Sequence, residues 1–225
     1  MVRLSAKNRS FAKSSLILAL ALVFLPGALG CYNRSGNNNN SNSSSPSSSP
    51  SSPSAPAKTG STKKLAWDMG SKLSLAALGN GRGANASAVE SVMGKAKDSA
   101  QQLGVEIPPL PDQTGDTTKD SAAALHYLLK TAGDPIASKL RSKYDDAHAA
   151  LFEMALKSNV LMLLYSPGDS TSKTIAGVIK NRGTEAGLPE SLWKPVVDKI
   201  EEQAPFDEVK AAVSQMHQDV LNHLE

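Results

Sequence analysis

A chain of 225 residues with 40% hydrophobic residues is long enough for one sizeable domain or two small ones, which excludes wholesale disorder. Aromatic residues at 4% argue against a stacking platform for nucleic acid or carbohydrate, and a single cysteine excludes an intramolecular disulfide framework and any Cys-rich metal site. The formal net charge of +3 hints at an acidic partner only until the charges are located. Arg3, Lys7, Arg9 and Lys13 lie in the first thirty residues with no acid among them, and the first acidic residue of the chain is Asp68. From Thr62 onward the balance is 18 Lys+Arg against 21 Asp+Glu. The basicity therefore belongs to the N-terminal segment. Nucleic acid is not expected as a partner, because phosphate binding needs concentrated cationic charge.

In chain order, the basic stretch is followed by an apolar run at residues 16–25 (LILALALVFL). That is roughly half of what a helix needs to cross a ~30 Å hydrocarbon core. It reads as the apolar region of a secretory signal, residues 1–30, to be set aside from the fold. The exit Pro26-Gly27-Ala28-Leu29-Gly30 leads directly to Cys31. This junction resembles the lipobox of bacterial lipoproteins, in which a cysteine directly follows small residues. The resemblance covers residues 1–31 only. It implies cleavage before Cys31, a diacylglycerol group on its thiol and acylation of the new amino terminus. Two or three acyl chains, at ~0.8 kcal/mol per buried methylene, would hold the protein on a membrane essentially permanently. The leucine favoured three places before the cysteine is Ala28 here, with Leu29 one place later. Ala28-Leu29-Gly30 also satisfies the rule for ordinary signal peptidase, whose product would be a soluble exported protein with a free thiol at Cys31.

Residues 32–61 are almost entirely Asn, Ser, Pro and Gly, with Tyr32 the one large apolar group. Such a segment cannot bury enough surface to offset its ordering entropy, and a disordered tether is expected over residues 31–61. As a flexible coil it would span on the order of 30 Å. The triplets beginning at Asn39 and Asn42 match the N-glycosylation acceptor, but a spacer suits a bacterial-type signal better.

From residue 62 to 225 the pattern is helical, with no convincing alternating strand. Leu65, Met69, Leu73 and Ala76 mark a first helix over 62–78, broken by the Gly-rich run 79–85. Ser87 and Glu90 have capping-box spacing at the head of a second, which Gly104 ends and Pro108, Pro109 and Pro111 keep from resuming. A third covers 117–132. Asp134-Pro135, an N-cap and a first-turn proline, opens a fourth over 135–165. One stripe through Ile136, Leu140, Tyr144, Leu151, Met154, Ser158 and Met162 makes this a single long helix of ~45 Å. Its all-apolar end, residues 160–165, is expected at the centre of the core. A fifth follows over 170–182, a sixth from Glu190 that Pro195 either kinks or restarts, and a last over 206–223. The expectation is one all-α domain, a bundle of six to seven helices around the long central one.

Catalytic and metal constellations are sparse. A ferritin-like centre needs Glu-x-x-His, which does not occur. Asp145-x-x-His148 and Asp219-x-x-x-His223 are nearest, and both read as solvated pairs. His217 and His223 do not share a face, and His126 reads as a packed or capping histidine. There is no Gly-x-Ser-x-Gly elbow. Gly79-x-Gly81-x-Gly83 lacks the strand and lysine of a phosphate loop and reads as a helix connection. Pro108-Pro109-Leu110-Pro111 fits a PxxP ligand but reads better as a rigid turn. Ser158, inside the apolar stripe, either bonds back to the carbonyl four residues earlier or lines a cavity. Trp67 and Trp193 read as core anchors with a wet edge.

No catalytic, cofactor or metal site is expected; Cys31 is the one site residue, for lipidation. The leading reading is a membrane-anchored envelope protein, exported, whose helical domain binds another envelope protein or the cell wall. The others are a carrier with an apolar-ligand pocket beside Ser158, and a hydrolase or transferase.

Overall fold

The structure, a computed structural model, describes residues 59–225. The signal segment, Cys31 and nearly all of the tether lie outside the described residues. The described chain is all-α. Its helices are α1 (Thr59–Gly81), α2 (Ala86–Leu103), α3 (Thr117–His126), α4 (Gly133–Lys143), α5 (Asp146–Leu164), α6 (Ser170–Glu185), α7 (Glu190–Glu201) and α8 (Phe206–His223). A π-helical turn, Tyr127–Thr131, continues α3 and leads into α4.

Short polar side chains set the helix starts. Asn85, rather than Ser87, caps α2, and its side chain accepts from the Ser87 N–H at 2.9 Å. Asp116 and Asp169 cap α3 and α6 in the same way. Asp134 is not a cap: it lies in the first turn of α4, which begins at Gly133, and pairs with Lys130 at 3.0 Å. Gly104 ends α2 at φ 62°, the left-handed geometry that costs a glycine nothing. Pro195 lies inside α7 without ending it.

The single helix expected over 135–165 is two helices, which brings the described total to eight. The break falls at Tyr144 and Asp145, where Asp145 is fully extended (φ −162°, ψ 178°) and its carboxylate accepts the His148 N–H at 2.9 Å. The competing interaction is local: an aspartate offers the backbone a cap in place of the next helical turn. No glycine or proline marks the site.

After the break, α5 is buried on two sides. Ala149, Phe152, Leu156 and Val160 join a core built with α1, α2, the π-helical turn and α4. Ala150, Leu151, Met154, Ala155 and Leu161 join a second core with α6, α7 and α8, to which α1 adds Trp67. A helix covered on both sides needs no polar face. By length and composition α5 is apolar enough to cross a membrane, but most of it is enclosed within the domain. The centre of the core is not its C-terminal end as expected. Met162, Leu163, Leu164 and Tyr165 are half-buried, whereas over residues 149–156 only Glu153 is not buried, and it pairs with Arg182 of α6.

Both cores depend on how closely α1 approaches α5. A Cβ on Gly70 would lie 2.4 Å from the Phe152 carbonyl oxygen, so the two backbones meet with no side chain between them. Gly94 on α2, by contrast, has open space where its Cβ would be. Gly70→Ala should therefore destabilise the domain by about 1–3 kcal/mol or more through overpacking against backbone. Gly94→Ala should stabilise it by about 0.5–1 kcal/mol through helix propensity. Urea unfolding midpoints of the two variants, moving in opposite directions, check the assignment.

Candidate functional site

Three hydroxyls on α1, those of Thr62, Ser71 and Ser74, are buried in a helix that packs on α5. Burial obliges each to find a partner. Two histidines from distant parts of the chain supply most of them, and they do so with opposite polarity.

His148, in the first turn of α5, is 1% exposed. Its Nδ1 lies 2.6 Å from Asp145 Oδ1 and its Nε2 lies 2.9 Å from Thr62 Oγ1, across 86 residues of chain. The Tyr144 ring stacks on the imidazole, centroids 4.8 Å apart and planes 21° apart. Burial opposes the charge on Asp145, but hydrogen bonds from the His148 ring and backbone, with Lys63 nearby, outweigh it and hold the carboxyl below the usual carboxylate range. An ionised carboxylate can only accept, so Nδ1 carries the proton. In the neutral ring Nε2 is then a bare acceptor aimed at the Thr62 hydroxyl.

His217, on α8, is half-buried and packs its ring against Trp67 with centroids 4.9 Å apart. Its Nε2 is 2.7 Å from Ser158 Oγ and its Nδ1 is 3.5 Å from Ser71 Oγ. Ser158 also donates to the Ala155 carbonyl at 3.0 Å. One tautomer satisfies this set: Nε2–H donates to Ser158, whose own proton goes to Ala155, while Nδ1 accepts from Ser71. Ser158 is thus a fully buried linker between α5 and α8. Its backbone bond runs three residues back, not four, and its hydroxyl proton is not held by the imidazole. Next to it, Asn159 donates to Ser74 Oγ at 2.8 Å, and Ser74 returns its proton to the Gly70 carbonyl at 2.8 Å.

The structure thus overturns some sequence expectations at these positions and keeps others. Asp145 is exposed as expected, but His148 is not solvated, because the helix break turns the imidazole inward. The expectation that His217 and His223 do not share a face holds: His217 has its partners on α1 and α5, and His223 is exposed. Of the two expectations for His126, packed or capping, the first fails: it is exposed, in the last turn of α3. Asp219 accepts from Gln215 at 2.8 Å. Both tryptophans are buried with no hydrogen-bond partner on Nε1 among the described residues, so neither has a wet edge. Thr62 and Ser71 went unremarked in the sequence; a hydroxyl at a buried helix position is the one signal they offer. Gly81 sits where a Cβ would be 2.7 Å from Ala124 Cβ, which makes the glycine run a close helix connection. The proline segment is a strap: Tyr127 donates to the Pro108 carbonyl at 2.7 Å and Asn80 to that of Pro111 at 2.9 Å.

Two open grooves of comparable size lie elsewhere. One, about 440 Å³, is lined by Leu192, Pro195, Ala212 and Met216 of α7 and α8 with Lys199 and Glu208. The other, about 460 Å³, lies between Val105, Pro108, Ile136 and Lys139. Ser158 lines neither. Among the described residues, no group of three or more His, Cys, Asp or Glu side chains is placed to hold a metal ion. No family model, curated protein or solved structure matches the chain.

Burial, reinforced by the nearby Lys72 charge, pushes His217 down from 6.5 to about 4. Between those values the unfolded chain holds a proton that the folded chain does not, so stability falls as pH falls through that window. From pH 7 to pH 5 this should remove up to about 2 kcal/mol. His217→Gln keeps a donor and an acceptor but does not titrate. Urea unfolding at pH 7 and pH 5 should show a clearly smaller acid loss in the variant than in the native chain.

Proposed function

We propose that the protein is an exported, lipid-anchored component of the cell envelope whose helical domain serves as a binding or scaffold module held off the membrane by a polar tether. The observation that carries this reading is the position of the one cysteine. Cys31 stands between an apolar run with a small-residue exit and an acid-free Asn/Ser/Pro segment, with a helical domain further along the chain. The charge distribution supports it, because the basic excess is confined to the segment ahead of the domain. So does the surface of the domain. Leu75, 49% exposed, is the one large hydrophobic side chain standing out among the described residues, so the domain offers a bilayer little to hold. Attachment falls to the N-terminal segment.

The apolar groove between α7 and α8 favours a second reading, a carrier of a small apolar ligand. Its place would be that groove, which Ser158 does not line. Displacement of a fluorescent fatty acid from the native chain but not from a Met216→Glu variant would support a carrier.

The anchor is tested by expressing the full chain in a bacterium fed an alkyne-tagged fatty acid. The native chain should take up the label, fractionate with membranes and show an acylated Cys31 at its mature N-terminus. Cys31→Ser should lose the label and move to the soluble fraction. An unmodified cysteine at the mature N-terminus would overturn the anchor.

A further inference from the structure

The charge of the helical domain is unevenly placed. Residues 190–225, which form α7, α8 and their connection, carry eight Asp and Glu against three Lys. Residues 62–189 carry 15 Lys and Arg against 13 Asp and Glu. The net negative charge therefore belongs to this one helix hairpin, and the groove of about 440 Å³ runs along its seam.

The groove is apolar along its length. Leu192 and Pro195 of α7 line it with Ala211, Ala212 and Met216 of α8. Two adjacent alanines are too small to fill the space beside a proline, which leaves the seam open. Met216 is buried and forms a floor, Leu192 and Ala212 are half-buried, and Pro195 and Ala211 are exposed at the rim. Methionine adapts its shape to what it meets. Carboxylates stand at both ends. Toward the α7–α8 connection, Lys199 lies 2.8 Å from Glu208 and 3.5 Å from Glu202, one cation between two anions. At the other end Asp219 accepts from the Gln215 amide at 2.8 Å and forms no ion pair among the described residues. Glu208 and Asp219 are eleven positions apart on α8, about 16 Å at 1.5 Å per residue.

We propose that this groove docks a cationic amphipathic helix of a partner protein. Apolar side chains at i, i+3 and i+4 of that helix sit between Leu192, Pro195 and the two alanines, and a Lys or Arg pairs with the carboxylates at each end. The inference rests on the reading of the domain as a binding module and names the class of its partner. Charge complementarity selects that class. An anionic membrane surface would be repelled by the hairpin. A small apolar ligand would leave both carboxylates unused and, in an open groove, much of its own surface in water.

The test is fluorescence anisotropy of a labelled peptide of about 18 residues, long enough to hold a helix, with the full chain. Its leucines stand at i, i+3 and i+4 and its lysines at i−4 and i+7, all on one face. One control replaces the lysines by glutamate, and a second scatters the leucines around the helix at the same composition. The native chain should bind the lysine peptide one to one, more weakly as salt rises, and should bind neither control. Ala211→Lys puts a good helix former with bulk and positive charge at an exposed position, so circular dichroism should be unchanged while affinity falls about tenfold or more. Asp219→Asn should lower it about two- to fivefold. Equal binding of either control, or binding unchanged in both variants, overturns the proposal. Uptake of a fluorescent fatty acid that Ala211→Lys abolishes, with no peptide bound, overturns it in favour of a carrier. The Cys31→Ser chain should bind the peptide as the native chain does, so a failed anchor leaves this result untouched. If no peptide binds, this partner class is overturned, and cross-linking of the native chain in envelopes decides the binding-module reading separately.

Discussion

The domain depends on one close approach. Where α1 crosses α5, Gly70 lets the backbone of one helix rest on the Phe152 carbonyl of the other. At that separation α5 can bury one side against α1, α2 and α4 and the other against α6, α7 and α8. The arrangement also explains the composition of α5, which has no continuous polar face because it is covered on two sides over most of its length.

Close packing of two nearly buried helices makes every hydroxyl between them an obligation. Thr62, Ser71 and Ser74 cannot reach solvent freely, and an unpaired buried hydroxyl costs about 1–3 kcal/mol. His148 and His217 answer that demand from positions 86 and 146 residues further along the chain. Their difference in polarity follows from what lies behind each ring. A carboxylate stands behind His148, and a serine hydroxyl behind His217. The first arrangement leaves a proton acceptor facing Thr62, and the second leaves none facing Ser158. The same environment makes His217 resist protonation, so a device that joins three helices at neutral pH weakens the domain in acid.

Most helices were legible in the sequence because a 3.6-residue apolar period and short polar caps are local signals. The range 206–223 for α8 and the start of α3 at Thr117 are as the sequence predicts, and the cap of α2 lies two residues ahead of the predicted one. The break at Asp145 was not legible. The apolar stripe runs through it in register, since Leu140, Tyr144 and Leu151 keep helical spacing whether or not the backbone bends between them. The same continuity misplaced the core. A single stripe suggests one buried side, whereas α5 has two, and an all-apolar end looked more central than the alanine-rich stretch that is actually enclosed. Pro195 erred in neither direction: it lies within a helix that continues past it.

The sequence by itself determined the distribution of charge, the all-α class and the order of a basic apolar stretch, an acid-free polar stretch and a helically patterned one, because composition and periodicity are properties of neighbours along the chain. Only the tertiary structure decided which hydroxyls the histidines meet, that Asp145 turns His148 inward, and that the Ser158 hydroxyl proton goes to a backbone carbonyl. The histidine–hydroxyl contacts join residues 59 to 146 positions apart, and no local period encodes them; they exist because packing brings distant helices together, as Gly70 does for α1 and α5. The other two span three residues, and the apolar pattern through them reads the same with either outcome.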